Sequence, residues 1–226
     1  MLYLVIVLLL LVLIFGPQFW VRREMERHAV ARPDLPGTGG ELARHLLDRF
    51  QLGAVAVETT AAGDHYDPDA RAVRLSPGNH DGRSITAVAV AAHEVGHAIQ
   101  HAQGSTLFIA RTGLARLLGM IDKVAMVVLV TAPLVAILTR VPSIALMQFG
   151  FAIALLGIGL VVHLVTLPLE FDASFGKALP ILTTDGYLHP GDVPAARGVL
   201  RAAALTYVAG ALVGLLNFLR LLRFIR

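Results

Sequence analysis

The chain contains no cysteine. Disulfides are therefore excluded, and so is any metal centre built on thiolates, so that a zinc site here must use imidazole and carboxylate donors. Charge is also scarce, with 15% Asp, Glu, Lys and Arg against 56% hydrophobic residues. That balance speaks against an ordinary soluble domain and points to a membrane protein. The net charge of +3 is spread along the sequence, with no basic run interleaved with aromatics. Nucleic acid is thereby removed from the expected partners.

What the chain does have is apolar runs. Residues 2–21 are apolar apart from Gly16, Pro17 and Gln18, and about 20 helical residues cover the hydrocarbon layer of a bilayer. Neither a basic start nor a small-residue cleavage site precedes Arg22 and Arg23, so this run is expected to be an anchor and not a removed signal. Residues 124–139, bounded by Lys123 and Arg140 and holding Pro133, form a shorter second run. Proline is tolerated there because neighbouring helices can satisfy the freed carbonyl. A tight turn at Arg140, Val141, Pro142 and Ser143 leads to the third run, 144–169, and 202–219 makes a fourth.

The polar region between the first two runs carries the chemistry. His93, Glu94, Val95, Gly96 and His97 spell H-E-x-x-H, the pattern by which zinc hydrolases hold a metal and activate water. Ser84 or Thr86 can cap the helix that carries it, and Gly104 can end that helix. Residues four apart rise about 6 Å and share one face, so His93 and His97 can reach one ion. Glu94 is displaced around the helix from that pair, placed to accept a proton from water as general base. Gly96 and Ala92 keep the surroundings small, as a closely packed neighbour would require. His101 extends the row, but it stands about 12 Å from His93 along the axis, too far to share the ion. Gln100 and Gln103 break the longer H-E-x-x-H-x-x-G-x-x-H signature. A third ligand must come from a distant part of the chain.

Ahead of the motif, residues 37–52 show a helical apolar pattern in Leu42, Leu46, Leu47 and Phe50. Residues 55–58 and 72–76 read as short strands around the turn-rich segment from Gly63 to Asp69. An edge strand beside a metal-binding helix can pair with an extended peptide.

The segments Arg74-Leu75-Ser76-Pro77, Gly82-Arg83-Ser84 and Ala91-Ala92-His93-Glu94-Val95-Gly96-His97-Ala98-Ile99-Gln100 resemble the YugP-like neutral zinc metallopeptidases of bacterial membranes. Leu167-Pro168-Leu169-Glu170-Phe171-Asp172-Ala173-Ser174 and Ala202-Ala203-Ala204-Leu205-Thr206-Tyr207-Val208 are similar to later motifs of that family, so the likeness covers most of the chain. It implies an integral membrane zinc protease. The resemblance also points to Glu170 as the distant ligand, with Asp172 as its competitor. Glu170-Phe171-Asp172-Ala173-Ser174 is similar to the Glu-Phe-x-Ala-Asp element of the heat-shock and CAAX-prenyl membrane metalloproteases, whose Glu completes the zinc site. Those proteins carry Asp where this chain has Ser174. The chain's own pattern agrees with Glu170, since a carboxylate ending the third apolar run is costly without a partner such as a metal.

The expected fold is a mainly α membrane protein of about four transmembrane helices, with a small zincin-like α+β unit carrying the H-E-x-x-H helix. Its expected organisation is an anchor over 1–21, a metallopeptidase region over 22–123, a transmembrane hairpin over 124–169, a segment over 170–201 supplying the third ligand, and a final helix with a basic tail over 202–226. The expected function is hydrolysis of peptide bonds in membrane or misfolded proteins at one Zn2+ per chain held by His93, His97 and Glu170. Tyr207 is a candidate oxyanion donor or an interfacial aromatic, His163 a candidate partner for Glu170, a lining of a substrate path or a neutral histidine bonded to a neighbouring helix, and Asn217 a helix-to-helix contact. The alternative is a non-catalytic membrane scaffold with a structural zinc. Arg22, Arg23, Arg27, Arg111, Arg116, Lys123, Lys177, Arg197 and Arg201 favour a multi-pass protein of the bacterial inner membrane with a cytoplasmic catalytic side and both termini outside. Arg220, Arg223 and Arg226 run against that count.

Overall fold

The computed structural model describes residues 2–184 and 186–221. Arg223 and Arg226 lie outside the described residues, as do the side chains of His163, Tyr207, Asn217 and Arg220. The elements are α1 (Leu2–Arg27), α2 (Gly39–Arg49), β1 (Ala56–Thr59), β2 (His65–Asp67), β3 (Ala72–Leu75), α3 (Pro77–His80), α4 (Ile85–Ala102), α5 (Thr106–Thr139) and α6 (Pro142–Phe171). A π-helical segment, Asp172–Ala178, then leads to α7 (Leu179–Thr184), a 3-10 turn and α8 (Val193–Leu221). The chain is thus mainly helical with a small sheet. It divides into two compact units, one joining Pro17–Ile109 to Leu167–Thr206 and the other built on Ala110–Thr166.

In the first unit, α2 begins with a reciprocal cap. Thr38 Oγ1 accepts from Glu41 N at 3.2 Å, and Glu41 Oε2 accepts from Thr38 N at 2.8 Å, satisfying two donors that the first helical turn leaves open. Leu46 and Leu47 are buried, each such side chain contributing roughly 1.5–3 kcal/mol through removal from water. Phe50, expected on the same apolar face, is exposed instead. It stands at the C-cap, where the chain leaves the helix and turns through Gln51 with φ of 61°.

The sheet runs β1-β3-β2, with β1 parallel and β2 antiparallel to β3. The turn-rich segment therefore contains a strand of its own. Asp67 Oδ1 accepts from the Asp69 and Ala70 amides and shapes the β2–β3 turn. Asp64 accepts from Ser76 N and Oγ and from Asn79 Nδ2, tying the start of β2 to the start of α3. Tyr66, Val73 and Leu75 turn inward onto the core.

At the centre of this unit lies α4, buried from Ile85 to Gln100 and packed by α2, the sheet, α7 and the π segment. Ser84 is its N-cap, accepting from Ala87 N at 3.0 Å. Thr86 does not cap but donates to Met25 O at 2.7 Å. Gly104, with φ of 64°, ends the helix in the left-handed region open to glycine. Arg32 bonds both carboxylate oxygens of Asp192, at 2.8 and 3.0 Å, and so joins the link after α1 to the start of α8.

Helix α5, most of which lies in the second unit, is longer than the apolar run suggests: it starts at Thr106, 18 residues before Val124, with Ser105 accepting from Phe108 N and Ile109 N. Arg140, with φ of 55°, makes the expected turn into α6. Gln148 Nε2 donates to Val128 O and Thr131 Oγ1, both at 2.9 Å, and so links α6 to α5. Among the described residues α5 is the one helix long and apolar enough to cross a membrane, with 12% of its most apolar stretch buried. The expectation of about four spans is met there by one. Ile137, Leu138, Leu146 and Met147 are more than 70% exposed.

Candidate metal centre

Two elements of the first unit meet at the candidate site. His93 and His97 project from one face of α4, and Glu170 comes from the last turn of α6, one residue beyond the apolar run 144–169. One ligand atom from each of the three lies within 4.8 Å of the others. Glu170 Oε2 stands 3.4 Å from His93 Nε2 and 3.2 Å from His97 Nε2. Donors about 2.0 Å from a tetrahedral zinc are separated by about 3.3 Å. The two measured separations bracket that value.

All three residues are buried, Glu170 at 1% exposure. Burial alone would push its carboxyl up, and only Nε2–H donors on His93 and His97, or a cation in their place, hold it below the ordinary carboxylate range. Glu94 is buried on the same helix, about 100° around the axis from His93.

The other nitrogen of each ring is held from behind. Ser174 Oγ donates to Leu200 O at 3.0 Å and lies 2.9 Å from His93 Nδ1. A hydroxyl has one proton, so with that proton on Leu200 O it must accept from His93 Nδ1–H. Gln100 Nε2 donates to Leu169 O at 3.0 Å and to Asp172 Oδ2 at 2.8 Å, and Gln100 Oε1 lies 2.9 Å from His97 Nδ1. Flipping the amide would set oxygen against both acceptors, so Oε1 must accept from His97 Nδ1–H. Both neutral imidazoles then turn an Nε2 lone pair toward the Glu170 carboxylate.

The sequence profile of the family described as "Putative neutral zinc metallopeptidase" matches residues 3–226. The chain belongs to this family. A Bacillus subtilis protein named "Putative membrane protease YugP" is 36% identical over 222 residues, which cover 97% of this chain and 95% of that protein. No solved structure matches.

The donor set suits the metal named by the family. Three lone pairs converging in a buried space repel one another unless both rings are protonated or a cation lies between them. Charging both rings in so dry a place costs several kcal/mol of desolvation per ion, whereas one divalent cation satisfies all three donors together. Asp172, the competing candidate, is turned away from the cluster, accepting from Gln100 and lying 3.8 Å from Lys177 Nζ. His101 is also outside it, with Nδ1 2.8 Å from Tyr66 Oη and its ring stacked on Phe108.

The close approach of the two elements depends on Gly96. A Cβ there would come within 2.9 Å of Ala173 O and 3.3 Å of Ala173 Cα, so any side chain would lift the π segment off α4. That segment is a widened helical turn of the sort found at functional sites. It sets Ala173 on Gly96 and Ser174 on His93 in consecutive positions. Gln100 is the residue that sequence reasoning missed, having served only to reject a longer signature. Its signal was an amide three residues after His97, on the same face of a helix otherwise apolar around it.

Proposed function

We propose that this chain is an integral membrane zinc endopeptidase that hydrolyses peptide bonds of membrane or misfolded proteins. In this reading His93, His97 and Glu170 hold one zinc ion, and Glu94 is the general base. The convergence of two Nε2 lone pairs and a carboxylate at tetrahedral separations supports it. Three protein donors leave a fourth position for water or substrate, as catalytic zinc sites do and closed structural ones do not.

Bound zinc supplies a Lewis acid that polarises the scissile carbonyl and lowers the pKa of water beside it. The work of the chain's own residues is positional and protonic. His93 and His97 keep Nδ1–H turned outward, and Glu170 brings the negative charge that the two neutral rings lack. Glu94 takes a proton from water as its oxygen attacks the carbonyl carbon, then returns it to the amine nitrogen as the C–N bond breaks. No covalent acyl-enzyme is needed.

Membrane integration is part of the proposal. Four spans over 2–21, 124–139, 144–169 and 202–219 would put the exposed apolar side chains of α5 and α6 in lipid, where exposure carries no penalty. The name of the Bacillus subtilis relative points the same way. The Lys and Arg residues flanking the spans support a cytoplasmic catalytic face at the bacterial inner membrane.

Protein purified in detergent and returned to liposomes should carry one zinc per chain and cleave an unstructured, fluorescence-quenched peptide. A strong chelator should stop cleavage and added zinc should restore it. Folded, zinc-loaded protein that cleaves neither peptides nor unfolded proteins would favour the scaffold reading, and chelator-resistant cleavage would place the chemistry elsewhere.

A further inference from the structure

The partners behind the two ligand histidines are both neutral. A carboxylate is a common partner for a metal-bound imidazole, yet here the acceptors are a hydroxyl and a primary amide. Neither acceptor is free to turn. Ser174 spends its proton on Leu200 O, and Gln100 spends both of its amide protons on Leu169 O and Asp172 Oδ2. Each is almost completely buried, so water does not compete for these bonds.

The geometry points to Gln100 and Ser174 as paired positioning residues that lock His93 and His97 in the Nδ1–H tautomer, Gln100 also setting the register between His97 and Glu170. The second role follows from the position of Leu169. Its carbonyl belongs to the residue immediately before Glu170, so one amide touches a ligand ring with its oxygen and the backbone bearing another ligand with its nitrogen. Asp172 is the outer member of this chain of contacts. It holds the second amide proton of Gln100, which fixes the amide orientation. That accounts for a carboxylate two residues from Glu170 without making it a ligand.

This inference rests on the zinc reading above, and its test reads metal affinity instead of proteolysis. Zinc affinity is measured by competition with a chromophoric chelator, and thermal stability is measured on the metal-free protein, for full-length wild type, Q100M, S174A, S174D and S174T. Met keeps the length and approximate volume of Gln while removing every hydrogen bond. Asp restores an acceptor for His93 Nδ1–H but cannot donate to Leu200 O, so it separates tautomer control from the fold's own need for that bond. Q100M and S174A should weaken zinc binding about 10- to 100-fold, while S174D and S174T remain within about threefold of wild type or bind more tightly. S174A and S174D should both lower the metal-free Tm. If S174D binds zinc as poorly as S174A, or if Q100M and S174A bind it like wild type, the positioning role is wrong. Folded wild-type protein that takes up no zinc overturns the zinc reading itself, a distinguishable result.

Discussion

Glu94→Gln is expected to leave one zinc bound per chain while lowering kcat by about 10²- to 10⁴-fold, the range typical for loss of a positioned general base. The substitution conserves shape in a buried place on α4 and removes no donor of the His93–His97–Glu170 cluster. What it removes is the ability to hold a proton between attack and departure of the amine. Zinc content by atomic absorption and initial cleavage rates, taken on one preparation, measure both halves. In a scaffold the same substitution would be silent. An active, zinc-loaded Gln variant would end the proposed mechanism.

Glu170→Ala should act on the metal itself. It deletes one of three protein donors and leaves two Nε2 atoms converging on a buried void, so zinc affinity should fall by more than the roughly 10- to 100-fold seen when an outer partner of a ligand is lost, with proteolysis lost too. Asp172→Asn is the contrasting variant. Its side-chain oxygen can still accept from Gln100 Nε2, so zinc binding should stay close to wild type. Chelator competition on the two variants decides between the carboxylates. Zinc retained in Glu170→Ala and lost in Asp172→Asn would transfer the ligand role to Asp172.

The parts of this structure legible in the sequence are those governed by local rules. The H-E-x-x-H spacing, the Ser84 cap, Gly104 beyond the end of α4 and the turn at Arg140 follow from helical periodicity and backbone preference over a few residues, and each lies where expected. Gly96 was legible as a place of close packing, though not its neighbour. The contact with Ala173 depends on how far the π segment is shifted around the axis after Phe171, and no local pattern encodes that shift.

The less legible parts depend on contacts between distant segments. β2 is three residues long and is held by Asp64 and Asp67 contacts, so its segment reads as turn chemistry throughout. The parallel pairing of β1 with β3 places a strand between two others that precede it, which alternation within a strand cannot show. Ser174 shows the same limit at the site. By type it is a departure from the acidic residue of related motifs, and only its place between His93 and Leu200 shows that a hydroxyl can accept the same N–H.

Two imidazoles and one carboxylate of this chain are expected to share a zinc ion with a position left for water. X-ray absorption at the zinc edge of the loaded wild-type protein measures that directly. Four light-atom ligands at about 2.0–2.2 Å are expected, two of them with the outer-shell scattering of imidazole. A site with a single imidazole, or a folded protein that holds no zinc, would contradict it.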